Sequence, residues 1–177
     1  LTLHVGLPHT AQAEQIRDAV QSWLQRQARR VFQERVDLFA ARLGERVLAY
    51  SGVAQKQQPA AQIRLGDARV RLRALDGLLR ETVATLESMV ADGARIPRAV
   101  RARARVAAAH IVHESRSVIA DLLESSGASA QFLDSPLQRA KRDVDVISGH
   151  VVFDYDVSRE LAGALEIGVP ISPIAMV

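Results

Sequence analysis

The chain has 177 residues, 48% apolar and 24% charged, a balance that suits one globular domain with a real core and leaves little room for two. It has no cysteine, which excludes a disulfide framework, a thiolate metal site and a cysteine nucleophile, and its aromatic content of 4% favours helices packed on small and aliphatic side chains over a β-sandwich. The net charge of +3, from 23 basic and 20 acidic residues, is too small an excess to argue for a nucleic-acid partner.

Residues 1–9, LTLHVGLPH, have no helical period and read as an extended lead-in. From Thr10 a long helix is predicted over Ala11 to Tyr50, with Ile16, Val20, Trp23, Leu24, Val31, Val36, Phe39, Leu43 and Val47 mostly three and four apart, and Ser51-Gly52 ends it. A polar loop, SGVAQKQQP, leads to a second helix from Pro59 to about Asp92, striped by Ala68, Leu72, Leu75, Leu79, Leu86 and Val90 and stopped at Gly93. The third helix runs from near Pro97 to Glu124 on Ala104, Ala107 or Ala108, Ile111, Val118 and Leu122. After the small residues Ser125 to Ser129 and a short turn, Ser135 is placed to cap a helix with Pro136 at its first position. The helical pattern resumes beyond His150, past the acidic Asp154-Tyr155-Asp156, and reaches Ile167; the tail with Pro170 and Pro173 is not helical throughout. No convincing strand intervenes. The expected fold is all-α, an antiparallel four-helix bundle. No apolar run approaches the ~20 residues that span a bilayer, and no basic-then-apolar leader opens the chain. The expectation is a cytoplasmic protein without a membrane partner, and Leu1 in place of Met points to a piece of something longer.

Four stretches carry candidate chemistry. RIPRAVRARAR, residues 95–105, is the densest basic run, but Arg101, Arg103 and Arg105 are two apart and spread around a helix, with no aromatic interleaved for base stacking. It reads as solvated, and no nucleic-acid contact is expected. His110 and His113 are three apart, whereas a zinc helix places two histidines four apart and needs a third ligand, so no metal site is expected. SSGASAQ, residues 125–131, is a tight helix–helix corner whose small side chains would also let backbone N–H groups approach a phosphate. In SPLQRAKRDVDVISGH, residues 135–150, Arg139, Asp143, Val146 and His150 fall on one helical face, with Leu137, Val144, Ile147 and Val151 on others. Gly149 would allow close approach of a backbone or ligand. A histidine there is either a surface residue at a helix break or a general base.

The run SGASAQFLDSPLQRAKRDVDVISGH resembles the C-terminal signature of two-component flavin-dependent monooxygenases with the acyl-CoA dehydrogenase fold: a small-residue Gly-Ala-Ser, then SPLQR, then Arg-Asp, then a histidine seven residues after that Asp. Residues 37–72 are similar to the start of the same domain, and the resemblance covers about residues 35 to 177. It implies an acyl-CoA dehydrogenase C-terminal-like bundle, preceded by residues 1–34, a lead-in and helix that do not match the family. It also implies the chemistry: reduced FMN or FAD from a separate flavin reductase reacts with O₂, and the resulting C4a-hydroperoxyflavin hydroxylates an aromatic or polyketide-like substrate. His150 would be the catalytic base. Gly127, Ala128 and Ser129 would lie at the flavin phosphate, often that of a neighbouring subunit of a homotetramer. Arg139 and Asp143 would have positioning roles.

The family's N-terminal helical domain and middle β-domain have no counterpart in this sequence. The expectation is therefore a bundle that is inactive by itself and works only with those domains, since a flavin must be oriented and shielded by protein. The alternative is a non-catalytic helical oligomerisation module. An acyl-CoA dehydrogenase-type activity would need a carboxylate base, and no glutamate here can be placed in that role.

Overall fold

The computed structural model describes residues 34, 36–41, 44–45, 47, 52–91 and 95–172. The lead-in, most of the predicted first helix, the Asp92-Gly93 stop and residues 173–177 lie outside them. Of that first helix, residues 34, 36–41, 44 and 45 are helical, and Val36 and Phe39 are buried. Val47 pairs instead with Ala54 in an isolated antiparallel bridge, so the helix stops short of the predicted Tyr50.

Helix α1 spans Pro59–Ala91. Pro59 opens it because the first helical residue needs no backbone N–H. Ala61, Ala68 and Leu75 recur every seven residues and are buried, with Leu65 and Leu72 packed half-buried between them. Val90, predicted in the stripe, is 56% exposed, because the main core cluster takes side chains from α1 only as far as Leu72.

Helix α2, Arg98–Ser125, is the central element. It contacts α1 on one side and, on the other, both α3 (Pro136–Ser148) and α4 (Tyr155–Glu166). All three neighbours run antiparallel to it: Gln55 and Arg71 bond Ser125 and Glu114, Arg116 pairs with Asp145, and Arg98 reaches Ser172 while His113 meets Tyr155. Helices α3 and α4 thus lie in tandem, α3 along the C-terminal half of α2 and α4 along its N-terminal half. The last helical stretch, which the sequence pattern shows stopping at Gly149-His150 and resuming beyond, is two helices of 13 and 12 residues with a break at 149–154. The break has local causes. The amide of Gly149 closes α3 by bonding Asp145 and Val146, a 3₁₀ turn covers Val151–Phe153, and Asp154 starts α4 by accepting the amides of Asp156 and Val157 at 3.1 Å.

The main core joins Val36 and Phe39 to Ala61, Ala68, Val118, Leu122, Leu123, Ala130 and Leu137. A smaller cluster, Ile119, Ala140 and Val144, fastens α3 to α2. At its edge Arg71 ties α1 to α2 through Glu114 at 2.9 Å and Asp121 at 2.8 Å, with Asp67 at 3.4 Å. Burial works against its charge, but the bonds to Glu114, Asp121 and Asp67 outweigh that and raise its pKa above the ordinary arginine value. No helix among the described residues is long and apolar enough to cross a membrane, and no strand occurs among them.

Candidate functional site

The break between α3 and α4 opens a cleft of about 400 Å³ whose far wall is α2. Val112, His113 and Arg116 of α2 face Gly149 and His150 across it, and Asp154, Tyr155 and Arg159 close the α4 side. His150 therefore stands at the rim of a concave surface.

The sequence placed His150 on the helical face of Arg139 and Asp143. The structure corrects this. Helix α3 ends at Ser148, and His150 is extended, with φ −77° and ψ 134°. Its side chain turns back over the next turn, and Nδ1 accepts the backbone amide of Val152 at 3.2 Å. An amide N–H can only donate, so in the neutral ring the proton sits on Nε2. The neighbouring Gly149 has φ −75°, and a Cβ there would meet Val146 O at an ordinary 3.5 Å, so close approach is not what selects glycine at this position.

Arg139 and Asp143 are both exposed and do not pair with each other. The paired carboxylate of α3 is Asp145, bonded to Lys141 at 2.5 Å and facing Arg116 of α2 at 3.0 Å. Of the apolar set on this helix, Leu137 and Val144 are buried, while Ile147 and Val151 are 48% and 55% exposed. Ser135 occupies the N-cap position but makes no capping bond; its Oγ is buried and unpartnered.

Gly127, Ala128 and Ser129 lie at the other end of α3. Gly127 has φ 76° and ψ 179°, a backbone region essentially confined to glycine, and it turns the chain into a 3₁₀ turn, Ala128–Gln131. Ala130 of this turn is 2% exposed and plugs the main core beside Leu137. With 13 residues of α3 between them, this turn and His150 stand roughly 20 Å apart in one chain. The structure does not bring them into one pocket.

Two features escaped the sequence reading. His110 and His113, weighed there as a metal pair, grip Tyr155: His110 Nδ1 lies 2.9 Å from the Tyr155 hydroxyl, and the His113 ring stacks on Tyr155 at 3.9 Å and 15°. Among the described residues no group of three metal-ligating side chains occurs. Arg159 covers the same tyrosine at 4.9 Å and pairs with Asp156, which raises its pKa. Arg105, read as solvated with its neighbours, is only 9% exposed; its guanidinium reaches the carbonyls of Val151 and Val152. The alanines around it, with Ala102 and Ala109 fully buried, were the available signal, since an arginine three and four residues from such positions lies on the same packed face.

The sequence profile of the acyl-CoA dehydrogenase, C-terminal domain matches residues 27–155. The chain belongs to this family. Within it, the oxygenase subunit HsaA of a flavin-dependent monooxygenase from Rhodococcus jostii is 32% identical over 130 residues, covering 73% of this chain and 34% of that protein. A pigment production hydroxylase from a Rhodococcus species is 29% identical over 136 residues, covering 77% and 35%. Among solved structures, HsaA monooxygenase from Mycobacterium tuberculosis superposes with a TM-score of 0.69 at 28% identity, over 81% of this chain and 37% of that one. XiaF from Streptomyces, solved with FADH₂ and glycerol, superposes at 0.74 with 23% identity, over 82% and 36%, a likeness of fold. The acyl-CoA dehydrogenase C-terminal-like bundle expected from the sequence is thus the fold found, and this chain spans about a third of the length of the relatives it matches.

Proposed function

We propose that this bundle is the C-terminal part of the oxygenase component of a two-component flavin-dependent monooxygenase that hydroxylates an aromatic or polyketide-like substrate. The observation that carries the reading is the 130-residue match at 32% identity to an oxygenase subunit of that kind. Reduced FMN or FAD, delivered by a separate reductase, supplies the oxygen-activating chemistry when bound. The chain by itself is inactive, assembles as a homotetramer in the cytoplasm, and works with the family's other domains.

The residues present fit a flavin of this kind. Gly127 turns the chain with a backbone no other residue adopts readily, and the first amides of the turn that follows, those of Ala128 and Ser129, have no acceptor within it. Such amides suit a phosphate. His150 is exposed at the rim of a cleft and is the proton-handling group, which would deprotonate a phenol or handle a proton while a bound flavin activates oxygen. The separation of roughly 20 Å along α3 supports a reading in which the two features serve different flavins, each subunit's turn reaching its neighbour's cofactor in a tetramer. Arg139 and Asp143, exposed and unpaired with each other, keep a positioning role toward such a neighbour.

In a complete or complemented enzyme, His150→Ala should lower turnover about 10²- to 10⁴-fold, the usual worth of a positioned acid or base; unchanged turnover removes the catalytic role. The second reading, an oligomerisation module without flavin, is favoured by the exposed Phe132, Leu133 and Val146 at 65%, 73% and 78%. Anaerobic titration of the chain with reduced FMN and FAD separates the two. Tight binding counts against the module, and no binding leaves it standing.

A further inference from the structure

We propose that Arg105 is a positioning residue that decides which nitrogen of His150 carries the proton. The inference rests on the reading of His150 as the proton-handling group. Its basis is a continuous set of contacts from the N-terminal third of α2 to the imidazole. Arg105 is 9% exposed, unlike Arg101 and Arg103 beside it. Its Nε faces the carbonyl of Val152 at 3.4 Å and its Nη2 the carbonyl of Val151 at 3.5 Å. These are long bonds, but the donor is charged and sheltered from water, where such contacts are stronger than neutral ones. They hold the 3₁₀ turn against α2. The amide of the same Val152 then donates to Nδ1 of His150.

The consequence for proton traffic is specific. While Val152 N–H occupies Nδ1, the neutral ring presents Nε2–H outward, a donor toward any oxygen in the cleft. Accepting a proton at Nε2 requires the other tautomer and yields the cation, and in both Nδ1 bears a hydrogen that meets the amide of Val152 head-on. His150 can take a proton only by letting go of the turn that Arg105 pins. The groups around this contact are few. Asp154, Tyr155, Asp156 and Arg159 face it from the start of α4, and His113 and Arg116 face it from α2. Asp156 is paired with Arg159, Arg116 with Asp145, and Tyr155 with His110. Asp154 is committed to capping α4. Each of these carboxylates already has a partner, and the Val152 amide is the donor found on Nδ1.

The test is long-range ¹H–¹⁵N spectroscopy of the ¹⁵N-labelled chain above the titration range of its histidines, with the His150 signals assigned from His150→Gln. Wild type should show neutral His150 with Nε2–H strongly dominant. In Arg105→Met the ratio of the two tautomers should fall about fivefold, the worth of one ordinary hydrogen bond. Arg105→Lys, which keeps the charge and a donor for one carbonyl, should restore at least half of the loss on a logarithmic scale. An unchanged ratio in a folded Arg105→Met chain overturns the proposal, folding being read from the ring-current shifts of the His113–Tyr155 stack. If that variant does not fold, Arg105→Gln carries the test, with a fall of about twofold expected and an unchanged ratio overturning it. No flavin or substrate is present in these spectra. The tautomer result therefore stands or falls apart from the catalytic role of His150, which is judged by turnover alone.

Discussion

At the N-terminal end of α3, Leu137 is fully buried and Ser135 is 3% exposed, and the Gly127 turn feeds Ala130 into the same core. At the C-terminal end, Val146 is 78% exposed, Ile147 is 48% exposed, and His150 stands at an open rim. The two ends belong to one short helix yet have different neighbours. The first sits where α1, α2 and the described part of the first helix converge. The second rests on α2 alone, opposite a break that leaves room for a cleft. A buried end is fixed by packing, so its residues are constrained chiefly by stability. An end resting on one partner can change side chains at little cost to folding, and what stands there is free to be selected for chemistry.

That contrast can be broken by experiment. Leu137→Ala should cost about 2–5 kcal/mol, as for other fully buried leucines, and a urea midpoint barely moved would show that the N-terminal end is not a core position. Next in size, Gly127→Ala should cost about 1–3 kcal/mol, because φ 76° with ψ 179° strains any residue bearing a Cβ; thermal unfolding at the wild-type midpoint would contradict the turn geometry. At the open end, Tyr155→Phe removes the hydroxyl bonded to His110 and should cost about 0.5–1.5 kcal/mol while leaving the stack on His113 visible by NMR. Val146→Ser should change the stability of the isolated chain by less than about 0.5 kcal/mol. A larger loss at high protein concentration than on dilution would sharpen the comparison, by showing that a second copy covers this face.

Much of the fold was legible in the sequence. The bounds of α1 and α2 follow from Pro59, Pro97 and the apolar spacing between them, and the break after Ser148 was visible in Ser-Gly-His followed by Asp-Tyr-Asp. The short-range reading erred where a residue's partner lay elsewhere in the chain. Ser135 has the right chemistry for a cap, but burial against the core turns its hydroxyl away from that task. Arg105 sits in a run that looks solvated, and only the turn at 151–153, some 46 residues on, shows why it is buried. His110 and His113 have nearly the spacing of metal ligands, but Tyr155 takes them.

The sequence by itself determined that this is an all-α chain, where α1, α2 and α3 begin, and which family signature it carries. Those properties depend on local backbone preferences and on apolar residues repeating every three or four positions, which neighbours along the chain suffice to set. The tertiary structure alone decided that α3 and α4 lie in tandem on α2, that a cleft opens between them, and that the amide of Val152 occupies one nitrogen of His150. Each of these depends on groups tens of residues apart meeting at hydrogen-bonding or van der Waals distance, and only the packed bundle brings them together.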